Sequence, residues 1–258
     1  MLEIYDNEYS SCSTKVRLVL HEKGVPWTRR GVDLTMFDHK TASYLKLNPN
    51  GVVPTAIVDG GEPLLESHII IQYLDSAHDG PPLASRHAQG RARMQMWLKE
   101  IEELHLSTGI VNYDRLYLPY WRRLPKQDLE SRIDRIAQPG HAQRMRYLIR
   151  DGLGAERVGA AERAVARFFE RVDGFLARAK WLSGERFGLA DVALTPYVDS
   201  RLHAISDLWY GKLRHIAAWL RRVRDRPSYA AAVPGRSRLP DFDAAIAAAP
   251  GGGGLRQL

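Results

Sequence analysis

Ser10-Ser11-Cys12-Ser13-Thr14-Lys15-Val16-Arg17-Leu18-Val19-Leu20 decides how this chain is read. Three hydroxyls and a thiol fill four consecutive positions after a short apolar run, Leu2-Glu3-Ile4-Tyr5-Asp6, that reads as a strand. Val16, Val19 and Leu20 recur at i, i+3, i+4, one face of a helix. Gly24 stands where a C′ glycine ends such a helix. The small polar residues therefore sit at a helix N-terminus, where unpaired N–H groups and the helix dipole favour an anion. A thiolate held there gains from the dipole and from hydroxyl donors, the terms that lower cysteine pKa values. The same residues would also serve as an ordinary N-cap, since serine is a favoured cap. The rest of the chain has to decide between the two.

A chain of 258 residues can bury a sizeable core in one or two domains. Hydrophobic content of 45% and charged content of 26% are those of a globular protein. No apolar run approaches the ~20 residues that span a bilayer, and Met1-Leu2-Glu3-Ile4 lacks a signal-peptide pattern. A single cysteine excludes an internal disulfide framework and fits a reducing compartment. The expectation is a cytoplasmic protein without membrane contact. Net charge is +7, and residues 115–180 carry 15 Lys and Arg against 8 Asp and Glu, enough to account for it. Interleaved acids and the lack of zinc spacing or an RNP-like run argue for a solvated helical face, or an entrance that attracts anions, over a nucleic-acid surface.

Residues 1–77 alternate strand and helix. A second strand is expected over Trp27–Val32, a short helix over Met36–Leu47, and a turn at Asn48-Pro49-Asn50-Gly51. A strand follows over Val52–Gly60 with Pro54 near its start, then a hairpin partner at Pro63-Leu64-Leu65. Glu66-Ser67 opens a helix striped by Ile69, Ile70, Tyr73 and Leu74. Residues 78–86 read as a linker. Beyond it the pattern is helical: Ala88 to about Tyr117, a broken stretch around Pro119, Pro125 and Pro139, then Glu156–Lys180. Further helices run from Gly188 through Leu202 and from Leu213 to Arg224, and residues 234–258 form a loosely held tail.

This arrangement resembles a glutathione transferase: α/β plus all-α, a thioredoxin-like domain (1–77) joined by the linker to an all-helical domain (87–233). Ser10-Ser11-Cys12-Ser13 before Lys15-Val16-Arg17-Leu18 is similar to the catalytic loop of the zeta and related serine classes. Asn48 to Thr55 is similar to the segment leading into the family's cis-proline strand, and Leu65-Glu66-Ser67 to Leu74 to its Glu-Ser helix start. Phe187-Gly188-Leu189-Ala190-Asp191 is similar to the helix opening of the C-terminal domain, with Gly188 where the family usually has Ser or Thr. A glycine N-cap costs only a few tenths of a kcal/mol against serine, so slightly weaker capping is expected.

The resemblance implies glutathione as co-substrate, no metal, and a two-fold dimer. Glutathione would be held by Glu66 at its ammonium, Ser67 at its γ-glutamyl carboxylate, and Val53 before a cis Pro54 at its cysteinyl backbone. His39 or Lys40 would take its glycine carboxylate. Ser10 would donate to the thiolate, with Ser11, Cys12 and Ser13 as alternatives. A hydrophobic electrophile would lie between the domains against Tyr9, His105, Asn112, Tyr113, Tyr117, Tyr120 and Trp121, although an aromatic stripe at helical spacing can equally be core. Trp97, Trp181, Trp209 and Trp219 are assigned to packing. The insertion from about Leu118 to Glu156 looks like the β-aryl etherase and fungal-type branch, whereas the Ser-Ser-Cys loop looks like the zeta class, whose members isomerise or dehalogenate small acids. The leading expectation is conjugation or aryl-ether cleavage. The alternatives are a zeta-like isomerase or dehalogenase, and a non-catalytic ligand-binding protein of the same fold.

Overall fold

The structure, a computed structural model, describes residues 1–199 and 212–233. The expected helix end at Leu202, the packing of Trp209 and the 234–258 tail lie outside the described residues. Alternating burial along β1 (Leu2–Asp6) puts Leu2, Ile4 and Asp6 inward, the two-residue period of a strand. β1 is central in a three-stranded sheet of order β2-β1-β3. It pairs in parallel with β2 (Thr28–Gly31), Glu3 opposite Thr28, and antiparallel with β3 (Thr55–Val58), Tyr5 opposite Thr55. The parallel pair needs a crossover, supplied by α1 (Ser11–Lys23), which ends on Gly24 at φ 64°. The hairpin partner expected at Pro63–Leu65 is reduced to a single bridge, Ala56 to Leu64.

The helix expected over Met36–Leu47 divides in two. Phe37 adopts φ 57°, a 3-10 turn follows at Asp38–Lys40, and α2 (Ala42–Leu47) starts afresh. Thr41 is the cause: its hydroxyl accepts from the Tyr44 N–H and caps α2, so the backbone before it is not helical. α3 (Ser67–Ala77) closes the α/β unit.

The rest of the described chain is helical. α4 (Ala88–Asn112) runs through a π turn at Tyr113–Tyr117 into α5 (Leu118–Arg123). α6 (Lys126–Ile133) and α7 (Pro139–Asp151) complete the insertion. α8 (Ala155–Leu176), α9 (Leu189–Val198), α10 (Arg214–Arg224) and α11 (Pro227–Ala232) follow. One apolar core unites Ile4, Val16, Leu20, Ile70 and Leu74 of the α/β unit with Ile101, Val165, Phe169, Leu194 and Trp219 of the helices. Trp97, Trp181 and Trp219 are buried in it as expected. A second cluster belongs to the insertion, which packs Leu118, Trp121, Ile133, Ile136 and Ile149 around Phe37. The basic 115–180 segment is laced with ion pairs: Arg115–Glu162, Arg135–Asp38, Arg146–Glu130 and Arg171–Glu100.

Gly188 does more than cap weakly. A Cβ there would fall on the Leu83 carbonyl oxygen and 2.8 Å from Ser183 Cβ, because the linker docks by Leu189 N–H to Leu83 O at 3.0 Å. The capping falls instead to Asp191, fully buried, whose carboxylate accepts from Leu182 N–H, Ser183 N–H, Gly188 N–H and Trp219 Nε1–H. Restoring the family's serine as Gly188→Ser is therefore expected to lower stability by about 1–3 kcal/mol through overpacking, where capping alone predicts a small gain. Urea denaturation of the two proteins measures the sign.

Candidate active site

The loop between β1 and α1 is fixed by one buried guanidinium. Arg17, 6% exposed, ion-pairs with fully buried Asp6, donates to Asn7 O at 3.1 Å and Glu8 O at 2.7 Å, and reaches Ala232 O of α11 at 2.8 Å. Breaking a buried pair strands a charge, so these bonds hold the loop firmly. Neither Arg17 nor Asp6 was singled out from sequence as a site residue, because their pairing joins α1 to β1 and leaves no local pattern.

Ser10 is the N-cap of α1. Its Oγ accepts from the Ser13 N–H at 3.2 Å, a bond that uses a lone pair and leaves the hydroxyl proton to donate. Its side chain is half-buried. Ser13 is fully buried and its Oγ accepts from the Asn7 N–H at 3.4 Å, so it braces the loop and does not face a ligand. Ser11 is buried too, with its hydroxyl bonded to Tyr197 of α9. Of the four alternatives, Ser10 and Cys12 remain as groups with exposed surface.

Three turns meet beside them. The Val53–Pro54 bond is cis. Glu66 takes φ 66° ahead of α3, a backbone state costing a non-glycine residue about 1–3 kcal/mol and concentrated at ligand sites. Asn50 Nδ2 donates to Glu66 Oε1 at 3.3 Å, and Lys40 Nζ donates to Asn50 O at 3.4 Å. Ser67, 8% exposed at the first position of α3, lies beside Cys12 and helps to lower its pKa. Lys40, Asn50 and Glu66 are thus linked in a chain of hydrogen bonds that ends beside Ser67 at the start of α3. Glu66, His68 and Glu102 also bring ligand atoms within 4.8 Å of one another, a group not anticipated from sequence.

His39 differs from Lys40 in kind. Burial, then the neighbouring Lys40 charge, pushes its pKa down to about 3, and its Nδ1 is buried without a hydrogen-bond partner. A neutral imidazole carries no charge, so of this pair Lys40 is the candidate cation. A base with a depressed folded pKa loses stability as pH falls, because the unfolded chain binds the proton first. His39→Phe is accordingly expected to retain roughly 2–4 kcal/mol more of its stability than wild type between pH 6.5 and 3.5. Denaturation midpoints across that range check it.

The expected electrophile wall is largely packed into the insertion's core, where Tyr113, Tyr117 and Tyr120 lie against Trp121 and its neighbours. Tyr113, Tyr117 and Trp121 do form one aromatic group: the Tyr117 and Trp121 rings stack at 5.5 Å, and Tyr113 lies 5.3 Å from Tyr117. Trp121, however, is 2% exposed and stacks on Phe37 at 5.4 Å, so it belongs to the insertion's core and not to an open wall. Its Nε1 has no partner. Tyr117 is pushed up to about 12 by burial and the nearby Tyr113, which keeps it a hydrogen-bond donor at neutral pH. Asn112 is buried at the end of α4, Tyr9 packs half-buried against the main core, and Tyr120 holds Arg132 at 3.0 Å.

His105 stands apart from that wall. Both its ring nitrogens lie 3.9–4.0 Å from Cys12 Sγ, and Tyr197 OH is 3.1 Å from its Nδ1. Lys15, 4% exposed, lies with Nζ 5.0 Å from the centre of the Tyr197 ring. Burial raises the Cys12 pKa, but the Lys15 charge, the His105 bond and charge and the Ser67 bond outweigh it and bring it down to about 5. Lys15 sits one turn beyond Cys12, a spacing visible in the sequence; Tyr197 gave no signal there.

With the geometry in hand, the family can be stated. The glutathione S-transferase N-terminal domain matches residues 9–77 and the C-terminal domain residues 141–227, together more than half the chain. The chain belongs to the glutathione S-transferase family. Glutathione S-transferase 3 of Zea mays is 29% identical over 90% of this chain and 95% of its own. The maleylacetoacetate isomerase of Pseudomonas aeruginosa is 28% identical over 84% and 89%. Among solved structures, the β-etherase LigF of Sphingobium sp. strain SYK-6 superposes with a TM-score of 0.78 over 90% of this chain and 98% of its own, at 23% identity.

Proposed function

We propose that this chain is a glutathione S-transferase in which the Ser10 hydroxyl stabilises glutathione thiolate for attack on a hydrophobic electrophile. The observation that carries the reading is the state of Ser10: its oxygen accepts from the Ser13 N–H, which leaves its proton free to donate to a sulfur at the α1 N-terminus. A donor held in place before the reaction costs no reorganisation when the charge forms. Favouring thiolate over thiol raises the nucleophile's concentration at neutral pH. Ser67 and the α3 N–H groups take the γ-glutamyl carboxylate, Glu66 its ammonium, Val53 beside cis Pro54 its cysteinyl backbone, and Lys40 its glycine carboxylate, with His39 as a neutral neighbour. No metal takes part in such a displacement.

The electrophile is conjugated or cleaved at an aryl ether: the sulfur forms a bond to carbon and the leaving oxygen or halide departs with the electron pair. A bulky aromatic substrate is favoured because the π turn that leads into the insertion puts Tyr113 and Tyr117 side by side in one aromatic group. A second reading, isomerisation or dehalogenation of a small acid, is favoured by the Ser-Ser-Cys loop and by the isomerase relative. Exposed Val52, Ile69 and Met96 suit the contact of a two-fold dimer. Among the described residues no helix is long and apolar enough to cross a membrane, in keeping with a cytoplasmic place. Calorimetric titration of glutathione at pH 7 is expected to give binding in wild type and at least ten-fold weaker binding in Ser67→Ala. No binding by wild type would favour the ligand-binding alternative of this fold over the enzyme.

A further inference from the structure

Glu66, His68 and Glu102 come from the turn before α3, from α3 and from α4, and each brings a ligand atom within 4.8 Å of the other two. A hydrogen bond between Gln72 and Gln95 ties the same two helices together. Two carboxylates at this range repel. Among the described residues neither pairs with a lysine or an arginine, in a chain that has 37 of those against 30 acids. Their printed contacts are Asn50 Nδ2, which donates to Glu66 Oε1 at 3.3 Å, and His68 Nδ1, 3.6 Å from Glu102 Oε1. That second distance is too long for a hydrogen bond. It is close to the ~3.3 Å that separates two ligands of one tetrahedral ion with bonds of ~2.0–2.1 Å. Both glutamates are exposed, so rotation of their carboxylates closes the remaining gap. An imidazole beside carboxylates suits zinc and its divalent neighbours in the first transition row, whereas calcium and magnesium take oxygen ligands.

We propose that Glu66, His68 and Glu102 bind a divalent transition-metal ion such as zinc, and that this ion shuts glutathione out by occupying Glu66. The ion is an inhibitor and takes no part in conjugation. A carboxylate that coordinates a cation has no charge left for the γ-glutamyl ammonium, and the ion repels that ammonium. Asn50 orients the Glu66 carboxylate, as outer partners of metal ligands do. The coupling is reciprocal: glutathione weakens the metal by the factor by which the metal weakens glutathione. The exclusion rests on the glutathione reading above, in which Glu66 takes the ammonium, but the metal site does not. His68 and Glu102 serve the ion alone, so substitution there separates the two ligands.

The test titrates zinc chloride calorimetrically into the full chain at pH 7, then S-methylglutathione with and without saturating zinc. S-methylation blocks the thiol, which would itself bind zinc. Wild type is expected to take one zinc ion that Glu102→Gln and His68→Gln each bind about ten-fold more weakly or worse. Cys12→Ser, which removes the one thiol of the chain, binds zinc as wild type does. Zinc is expected to weaken S-methylglutathione by about ten-fold or more in wild type and by less than about two-fold in Glu102→Gln. Chelation of zinc by the peptide is the same in both, so the difference reads the site. Wild-type zinc affinity in Glu102→Gln, or no zinc binding at millimolar concentration, overturns the site. Zinc binding there with S-methylglutathione affinity unchanged overturns the exclusion. If S-methylglutathione does not bind zinc-free wild type, the transferase reading falls and the exclusion with it, while the metal site is decided by the first titration alone.

Discussion

Replacing Ser10 by glycine is expected to lower kcat for glutathione conjugation by about 100-fold or more, while glutathione affinity changes less than about three-fold. The size follows from losing one preorganised donor to a developing or resident anion, worth roughly 3 kcal/mol. Glycine is chosen over alanine for a structural reason. Ser10 also caps α1 through the Ser13 N–H, and alanine at an N-cap costs about 1 kcal/mol whereas glycine costs a few tenths. Ser10→Gly thus removes the hydroxyl with little loss of fold, and Ser10→Ala, measured beside it, reports the cap. Steady-state kinetics with calorimetric binding on the same samples check the expectation. A fall in affinity matching the fall in turnover would mean that the hydroxyl binds glutathione and does not select its thiolate.

Phe37→Ala is expected to cost roughly 3–4 kcal/mol in stability and to raise KM for glutathione several-fold with a smaller effect on kcat. Phe37 is 1% exposed and stacks on Trp121 at 5.4 Å, so its removal leaves a cavity in the insertion's own core. The same loop is tied to the insertion by Ala137 N–H to Lys40 O at 2.9 Å and by the Arg135–Asp38 pair. Loosening Phe37 therefore frees Lys40, the cation assigned to the glycine carboxylate. Phe37→Leu keeps most of the volume and should recover most of the stability and part of the KM. Urea denaturation and glutathione saturation curves decide it. A stability loss with unchanged KM would detach the insertion from glutathione binding.

Much of the framework around the candidate site was legible because it depends on local patterns. The α1 start at Ser11 follows from helical periodicity closed by Gly24, and the α3 start at Ser67 from the stripe behind it. Neither needs knowledge of distant contacts. What escaped the sequence is non-local. Phe37 occupies a left-handed backbone state because residues 81 or more positions away pack around it, so the helix read through Met36–Leu47 broke where tertiary packing and the Thr41 cap overrode propensity. Trp121 had the spacing of a pocket residue and the burial of a core one. Gly188 looked like a weak cap, since its close approach to Leu83 lies across the linker. The Cys12–His105–Tyr197 group spans three helices, and only the Cys12-to-Lys15 spacing was visible beforehand.

The most direct test of the central claim is the ionisation of bound glutathione, followed by thiolate absorbance near 240 nm across pH 5 to 9 in wild type and Ser10→Gly, with each protein's own Cys12 signal subtracted. A bound thiol that ionises at least one pH unit lower in wild type than in Ser10→Gly is the predicted result, equal to about 1.4 kcal/mol of preference for thiolate. The same midpoint in both proteins would contradict the role given to Ser10.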